Sequence, residues 1–443
     1  MTTTESIYEL FAQYPHISTD TRKITPGSLF FALKGDKFDA NAFAAKAIEA
    51  GAAYAVIDNP AYQLNDQYIL VADVLTALQD LARYHRKQLH IPIIGLTGTN
   101  GKTTTKELIN AVLSQHYKTL ATAGNLNNHI GVPLTILTID NTHEMAVIEM
   151  GANHQKEIAL LCSIAQPTHG LITNVGKAHL EGFGGFEGVK KGKGELYDYL
   201  EATKGTLFIN SGNLDLVTMK AQRNIADVYE YGAFKSINFV SGSITKNAPY
   251  LSLAWDRHNG SESNHIATQL TGAYNLDNIL AAICIGVYFR ETDEEINSGI
   301  EGYNPKNNRS QIVQTATNTL ICDYYNANPS SMAVAIENIG KIDADRKVLI
   351  LGDMFELGDE AAAEHQAIIK KAMETEVANR IFIGKEFLQA SMVHGPWSMD
   401  EKPVFYASAE DAIEELKAHP IKNSTILIKG SRGMALERLV ELF

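Results

Sequence analysis

The stretch Ile93-Ile94-Gly95-Leu96-Thr97-Gly98-Thr99-Asn100-Gly101-Lys102-Thr103-Thr104-Thr105 constrains the fold more than any other. An apolar strand runs into a glycine-rich turn, and an amphipathic helical pattern begins at Lys102. Glycines let backbone N–H groups wrap an anion, and a helix N-terminus adds its positive dipole end. A lysine there meets β- and γ-phosphates, and the next hydroxyl, that of Thr103, sits on Mg²⁺. Gly98, Thr99, Asn100, Gly101, Lys102, Thr103 and Thr104 are therefore the expected ATP contacts. The spacing departs from G-x-x-x-x-G-K-[ST], because Leu96 stands where the first glycine would fall. A plain helix-capping turn is the bland alternative.

Strand and helix patterns alternate on both sides of this unit, which predicts α/β layers. Apolar, β-branched runs such as Ala146–Glu149, Gly170–Thr173, Thr206–Ile209, Val348–Leu351, Arg380–Ile383 and Thr425–Ile428 read as buried parallel strands. Helical periodicity covers Val74–Gln88, Thr103–Gln115, Phe186–Leu200, Leu276–Tyr288 and Glu360–Met373. The 443 residues suggest three domains at roughly 150 residues each. Pro92 breaks continuity after the helix ending near Gln88, and the polar stretch from Gly302 to Asn308 suits a linker. The expected divisions are 1–89, 90–304 and 305–443. Between about Val228 and Gln269 short alternating strands predict an antiparallel patch.

Lys plus Arg number 38 and Asp plus Glu 51, so the net charge is −13. A protein that coats nucleic acid needs a basic surplus, so no nucleic-acid partner is expected. Cys162, Cys284 and Cys322 form no CxxC pair, which excludes a zinc ribbon and a disulfide framework and fits a reduced, cytoplasmic compartment. No apolar run reaches the roughly 20 residues of a membrane span, and MTTTESIYELF lacks the pattern of a signal peptide.

A phosphate loop needs an acidic metal ligand from a neighbouring strand. Glu149 ends the apolar run Ala146–Glu149 and meets that need, although a strand-end acid is often only a solvated edge. His179 follows the strand Gly170–Thr173, and Lys193 lies in Lys190-Lys191-Gly192-Lys193-Gly194-Glu195-Leu196. On residue types alone each has two readings, a structural side chain or a member of the reacting centre. Asn275 reads equally as a helix cap, Arg309 and Asp323 as surface charges, and Asn326 and Asn328 as turn residues.

Taken together, Thr97–Thr104, Glu149, Asn174–His179 and Lys193-Gly194-Glu195 resemble the Mur ligase family, ATP-dependent enzymes that extend the peptide of a cell-wall precursor. The resemblance covers essentially the whole chain. It implies an N-terminal UDP-binding α/β module, a central P-loop ATPase-like parallel sheet and a C-terminal Rossmann-like domain. It implies that Asn275, Arg309, Asp323 and Asn326 reach ATP, and that His179 and Lys193 serve a second Mg²⁺. In several relatives the lysine reacts with CO₂; its carbamate can ligate a cation that an ammonium would repel. Thr21 and Arg22, with Lys34 and Asp36, become contacts for the UDP end of the substrate.

Asn125–Pro133, Tyr325–Ser330, Leu351–Gly358 and Lys429–Met434 look like the branch of the family that joins D-alanyl-D-alanine to a UDP-N-acetylmuramoyl-tripeptide. That branch implies an ADP-forming amide ligase that works through an acyl phosphate, and a monomer is expected. The diamino-acid-adding branch is the nearest alternative. It carries an Asp-Asn-Pro-Arg-like motif in its third domain, whereas here Asp58-Asn59-Pro60-Ala61 lies in the first. A phosphate-loop nucleotide switch is the alternative from another class; it would need no second metal centre, so His179, Lys193, Arg309 and Asp323 argue against it.

Overall fold

Neighbouring residues of the strand Ile93–Thr97 face two different cores. Ile93 packs with Ala146, Ile148 and Ile172 on one face, and Ile94 and Leu96 pack with Val147, Leu171 and Phe208 on the other. A strand buried on both faces reads as a continuous apolar run, and it needs helices above and below. The computed structural model, which describes residues 2–35, 37–233, 238–247, 249–258, 260, 263–306, 308–392 and 403–443, supplies them. Lys102–Leu113 and Asn275–Tyr288 cover one face, while Glu157–Ala165 and Phe186–Thr203 cover the other.

The central sheet has nine strands. Thr119–Ala121, Met145–Glu149, Ile93–Thr97, His169–Ile172, Thr206–Asn210, Val228–Gly232 and Val240–Lys246 run parallel in that spatial order. Ser252–Arg257 and Asn264–Ala267 extend the edge antiparallel. The expected antiparallel patch is therefore shorter than its sequence pattern: Val228–Gly232 pairs parallel with both neighbours. From Ile93–Thr97 the chain runs to the edge strand Thr119–Ala121, steps back to Met145–Glu149 beside Ile93–Thr97, and then crosses to His169–Ile172 on the other side. The loop after Ile93–Thr97 thus sits where strand order reverses, the place where open α/β sheets leave a crevice for ligands.

Smaller parallel sheets flank this one. The N-terminal sheet has four strands, Ile17–Ser18, Leu29–Phe31, Tyr54–Ile57 and Tyr68–Leu70. A six-stranded C-terminal sheet is ordered Gln311–Gln314, Asn318–Asp323, Ser424–Lys429, Lys347–Gly352, Asn379–Ile383 and Val404–Tyr406, antiparallel only at its first pair.

Helix Val74–Gln88 ties the first sheet to the central one. Asp73 caps it by accepting from the Thr76 N–H at 2.7 Å, a contact worth about 1 kcal/mol. Its Val74, Leu78 and Leu81 share a core with Ile7 and Phe11 and with the central strands. At its far end, Arg86 donates to the carbonyls of Ala165, Leu89 and Gln166. The guanidinium thereby satisfies carbonyls left open at the end of helix Glu157–Ala165.

Candidate active site

The phosphate loop takes backbone angles that only glycine reaches without strain. Gly98 has φ +147° and Gly101 φ +77°. A Cβ on Gly98 would lie 2.0 Å from Thr173 Oγ1, and one on Gly101 would lie 2.6 Å from Asn278 Oδ1. The loop is clamped from the strand His169–Ile172 side. Thr99 N–H donates to the Asn174 carbonyl at 2.9 Å. Asn100 N–H donates to Asn174 Oδ1, and Asn174 Nδ2 donates back to the Asn100 carbonyl, each at 3.0 Å.

Lys102 curls over this loop and donates to the carbonyls of Gly98 and Thr99 at 2.8 and 3.0 Å. Burial pulls its pKa down to about 8, against the field of Glu149 and helped by Arg309. Thr103 Oγ1 donates to Glu149 Oε2 at 3.0 Å, and Asn127 Nδ2 holds the other carboxylate oxygen at 2.8 Å. Glu149 is 2% exposed. A buried carboxylate beside a hydroxyl is a hard-oxygen pair that suits Mg²⁺. Among the described residues no cluster of three or more His, Cys, Asp or Glu could hold a metal. Such an ion would draw its remaining ligands from phosphate and water, as Mg²⁺ commonly does.

These groups line a cavity of about 700 Å³ between the central and C-terminal sheets. Thr99 to Thr104, Glu149, His179, Asn275, Arg309, Asp323 and Asn326 all face it. His179, at φ +51°, is in ion-pair contact with Glu356 of the C-terminal part. Burial lowers its pKa, Glu356 opposes that shift, and Lys102 and Lys193 add to it. Lys193 does not line the cavity. It lies behind Ala152, 2% exposed, donating to the Ala152 carbonyl at 3.1 Å and sitting 5.1 Å from the Phe183 ring centre. Burial, and then Lys102, hold its pKa well below that of an ordinary lysine. Its neighbour in the motif, Glu195, is spent elsewhere, accepting from the N–H groups of Lys156 and Ala159 at 2.5 and 2.9 Å.

Asn275 is buried, donating to the Thr271 carbonyl at 2.8 Å and accepting from Asn278 at 2.9 Å. Arg309 stacks on Tyr325 at 3.9 Å, and its buried Nε has no partner among the described residues. Asp323 is paired with Lys429 at 2.7 Å. The Asn326 side chain accepts from Ala327 N–H at 2.9 Å. The C-terminal part is docked on the loop through Lys177, which meets Glu364 at 2.6 Å and donates its N–H to Ser330 Oγ at 3.0 Å.

Of the four residues expected at the UDP end, three stand apart from this cavity. Thr21 and Arg22 lie in a short 3₁₀ turn, where Arg22 is doubly bonded to Asp20 at 2.9 and 2.7 Å. Lys34 pairs with Asp58 at 2.6 Å. Asp36 falls outside the described residues. Neither Thr21, Arg22 nor Lys34 lines the cavity. Asp58-Asn59-Pro60-Ala61 also lies away from the cavity, and Asn59 caps the turn that starts at Pro60.

Residue-type reasoning gave no role to Asn127, Asn128 or Lys429, all of which face the cavity. The signal was present for the first two, in the asparagine-rich run that follows the strand Thr119–Ala121. Lys429 carried none, because a lysine ending an apolar strand normally reads as solvated.

Three family models match in order along the chain. They are the Mur ligase family catalytic domain over residues 13–86, the Mur ligase middle domain over 96–286, and the Mur ligase glutamate ligase domain over 308–432. UDP-N-acetylmuramoyl-tripeptide--D-alanyl-D-alanine ligase of Bacillus subtilis is 35% identical over 432 residues, 96% of this chain and 92% of that protein. The protein of the same name from Escherichia coli is 35% identical over 428 residues, again covering 96% and 92%. Among solved structures, MurF from Acinetobacter baumannii superposes with a TM-score of 0.85 at 30% identity, covering 96% of this chain and 92% of that one. MurF ligase from Thermotoga maritima in complex with ADP shares the fold, with a TM-score of 0.83 at 24% identity and coverage of 97% and 96%. With a glycine loop, a buried carboxylate and a docked C-terminal sheet around one cavity, and relatives aligned over nearly its full length, the chain belongs to the Mur ligase family.

Proposed function

We propose that this protein is an ATP-dependent, ADP-forming ligase that joins D-alanyl-D-alanine to a UDP-N-acetylmuramoyl-tripeptide in peptidoglycan precursor synthesis. The observation that carries the reading is the 35% identity over 96% of the chain to relatives of that name. The cavity supports it, because a phosphate loop and a second, docked domain are what acyl-phosphate chemistry asks for. The domains are taken as 1–89 for the UDP end, 90–304 for ATP and 305–443 for the acceptor. Its nucleotide-linked substrate is cytoplasmic, and among the described residues no helix is long and apolar enough to cross a membrane. We take the working form to be a monomer.

The terminal carboxylate of the tripeptide attacks the γ-phosphorus of ATP, and the bond to the β-phosphate oxygen breaks to release ADP. The dipeptide amine then attacks the acyl-phosphate carbonyl, loses a proton and expels phosphate. The loop N–H groups from Thr99 to Thr104 and Lys102 hold the β- and γ-phosphates and meet the charge that develops between them. Thr103 and Glu149 would hold Mg²⁺ through their oxygens, and the ion would supply charge neutralisation at the phosphates. Asn275, Arg309, Asp323 and Asn326 orient the rest of the nucleotide from both domains. His179 and Lys193, the latter as its carbamate, would hold a second cation; a buried lysine with no carboxylate salt bridge among the described residues is consistent with conversion to an anion. Thr21, Arg22, Lys34 and Asp36 are assigned to the UDP end. Docking through Lys177 and Ser330 keeps water from the acyl phosphate.

The test is ADP release with each substrate alone and with both, followed by D-alanyl-D-alanine, L-lysine and meso-diaminopimelate as competing acceptors. The reading expects turnover only with the tripeptide and D-alanyl-D-alanine together. Turnover of a dipeptide precursor with either diamino acid, and none with D-alanyl-D-alanine, overturns it.

A further inference from the structure

Apart from Lys429, which pairs with Asp323, Leu351–Gly358 and Lys429–Met434 supply none of the proposed nucleotide contacts, and the fold brings the two segments together. The carboxylate of Asp353 accepts from the N–H groups of Glu386 and Phe387 at 3.1 and 3.0 Å. Met354 N–H donates to His365 Nε2 at 3.1 Å, and Phe355 N–H donates to Ser431 Oγ at 3.1 Å. Three consecutive residues are thereby fixed, and Glu356 follows at φ +62°, which turns its side chain onto His179. Phe355 is left 45% exposed and lies on the turn that carries Arg432: a Cβ on Gly433 would fall 2.8 Å from its ring.

Arg432 is exposed. Among the described residues it has no carboxylate partner, and its guanidinium sits 5.4 Å from the ring centre of the cavity residue Tyr325. Two neighbouring cations are engaged elsewhere: Lys429 is paired with Asp323, and Arg309 stacks on Tyr325 at 3.9 Å and faces the phosphate-loop cavity. Glu356 in contact with His179, the exposed ring of Phe355 before it in the chain, and Arg432, whose neighbour Gly433 lies against that ring, therefore belong to one surface of the C-terminal part. An acceptor dipeptide offers the complementary series: an amine, small apolar side chains and a terminal carboxylate, spanning at most about 7 Å.

We infer that Arg432 receives the terminal carboxylate of the acceptor dipeptide, with Phe355 as the wall against its methyl groups. This rests on the ligase reading above. A planar guanidinium grips a carboxylate through two parallel N–H bonds, which a lysine cannot reproduce. Arg432 is then a specificity-determining residue that acts on one substrate only.

The test uses the full chain and two acceptors, D-alanyl-D-alanine and its C-terminal amide. Losing a hydrogen-bonded charge pair raises a dissociation constant on the order of 10–100-fold. Arg432→Ala is expected to raise the dipeptide KM by that factor, with kcat and the KM values for ATP and the tripeptide within about twofold. Arg432→Lys should recover part of the loss. The amide should bind the unaltered enzyme as poorly as the dipeptide binds Arg432→Ala, and the substitution should not weaken it further. A dipeptide KM that stays within twofold in Arg432→Ala overturns the inference, as does an equal loss for the amide. Absence of dipeptide-dependent ADP release in the unaltered enzyme overturns the ligase reading, and this inference with it.

Discussion

Asn328 donates through its Nδ2 to Asn100 Oδ1, 2.8 Å away, and so joins the C-terminal part to the tip of the phosphate loop. The same Asn328 caps the helix Pro329–Lys341, accepting from Ser331 N–H at 2.9 Å. One side chain thus fixes where a helix starts and reports whether the loop is in place. Because Asn100 is itself held by Asn174, the contact reaches through to the central sheet.

Asn328→Ser separates the two jobs. Serine caps a helix about as well as asparagine but is too short to reach Asn100. The melting temperature should stay near that of the parent, while kcat/KM for ATP falls by about 2–10-fold, the worth of one net hydrogen bond. A melting point that drops with unchanged kinetics would show that the cap alone matters.

Lys102→Ala should abolish ligation without unfolding the chain. The ammonium is partly buried and touches only loop carbonyls, so its removal leaves no unpaired partner of opposite charge. Loss of one transition-state charge contact typically costs about 10²–10³ in kcat. Steady-state turnover beside a thermal melt decides it: turnover near that of the parent with a normal melt contradicts the role.

The parts of this fold that could be read from sequence are those where local chemistry and global packing agree. Val74–Gln88 has its capping Asp73 and a clear apolar stripe, and the helix spans those residues. Val228–Gly232 misled because alternation reports a half-buried strand and not the direction of its partners; its neighbours turned out parallel. Thr119–Ala121 is too short and too evenly half-buried to carry any period. In the site, the glycine loop and Glu149 were legible because each residue type answers a local need. Lys429 was not, since its partner Asp323 lies 106 residues away in sequence and the two meet only through parallel pairing of Asn318–Asp323 with Ser424–Lys429. Arg22 is the opposite case: its acid partner, Asp20, is two residues away and engages it locally.

Glu291 should make stability fall as pH rises. It is 1% exposed, and neither carboxylate oxygen has a partner among the described residues. Burial, with Glu295 adding to it, pushes its pKa up to about 8. Unfolded, the group titrates near 4.3, so between those values the folded chain holds a proton that the unfolded chain has lost. Stability is then complete below the unfolded value and is lost as pH climbs through about 8. Glu291→Gln should flatten that slope and raise the melting temperature at pH 8.5 by roughly 2–4 °C for each kcal/mol recovered. Parallel melting curves of parent and variant from pH 5 to 8.5 would rule out a buried carboxyl that ionises on unfolding.

Lys193→Ala should trade activity for stability. In its unmodified form the side chain is a buried amine, its charged form disfavoured by burial and by Lys102, that rests on one carbonyl and one aromatic face. Burying an ion without a counter-charge costs several kcal/mol even after relaxation. Replacement by alanine removes that cost and leaves a cavity, which for a chain of this length is destabilising by a few kcal/mol at most. The two effects nearly offset, so the melting temperature should hold or rise while turnover collapses. If a carbamate is the working form, the amine nitrogen bonds the carbon of CO₂ and gives up a proton. The product is an anion of the same reach as a lysine plus a carboxylate. A short-chain carboxylate diffusing into the alanine variant can then occupy the vacated position and restore part of the turnover, and it should do nothing for the parent. Enriching the parent with ¹³CO₂ should also give a carbamate resonance that Lys193→Ala lacks. Full activity of the alanine variant in CO₂-depleted buffer, with no such resonance in the parent, would remove Lys193 from the reacting centre and leave it a packing residue behind Ala152.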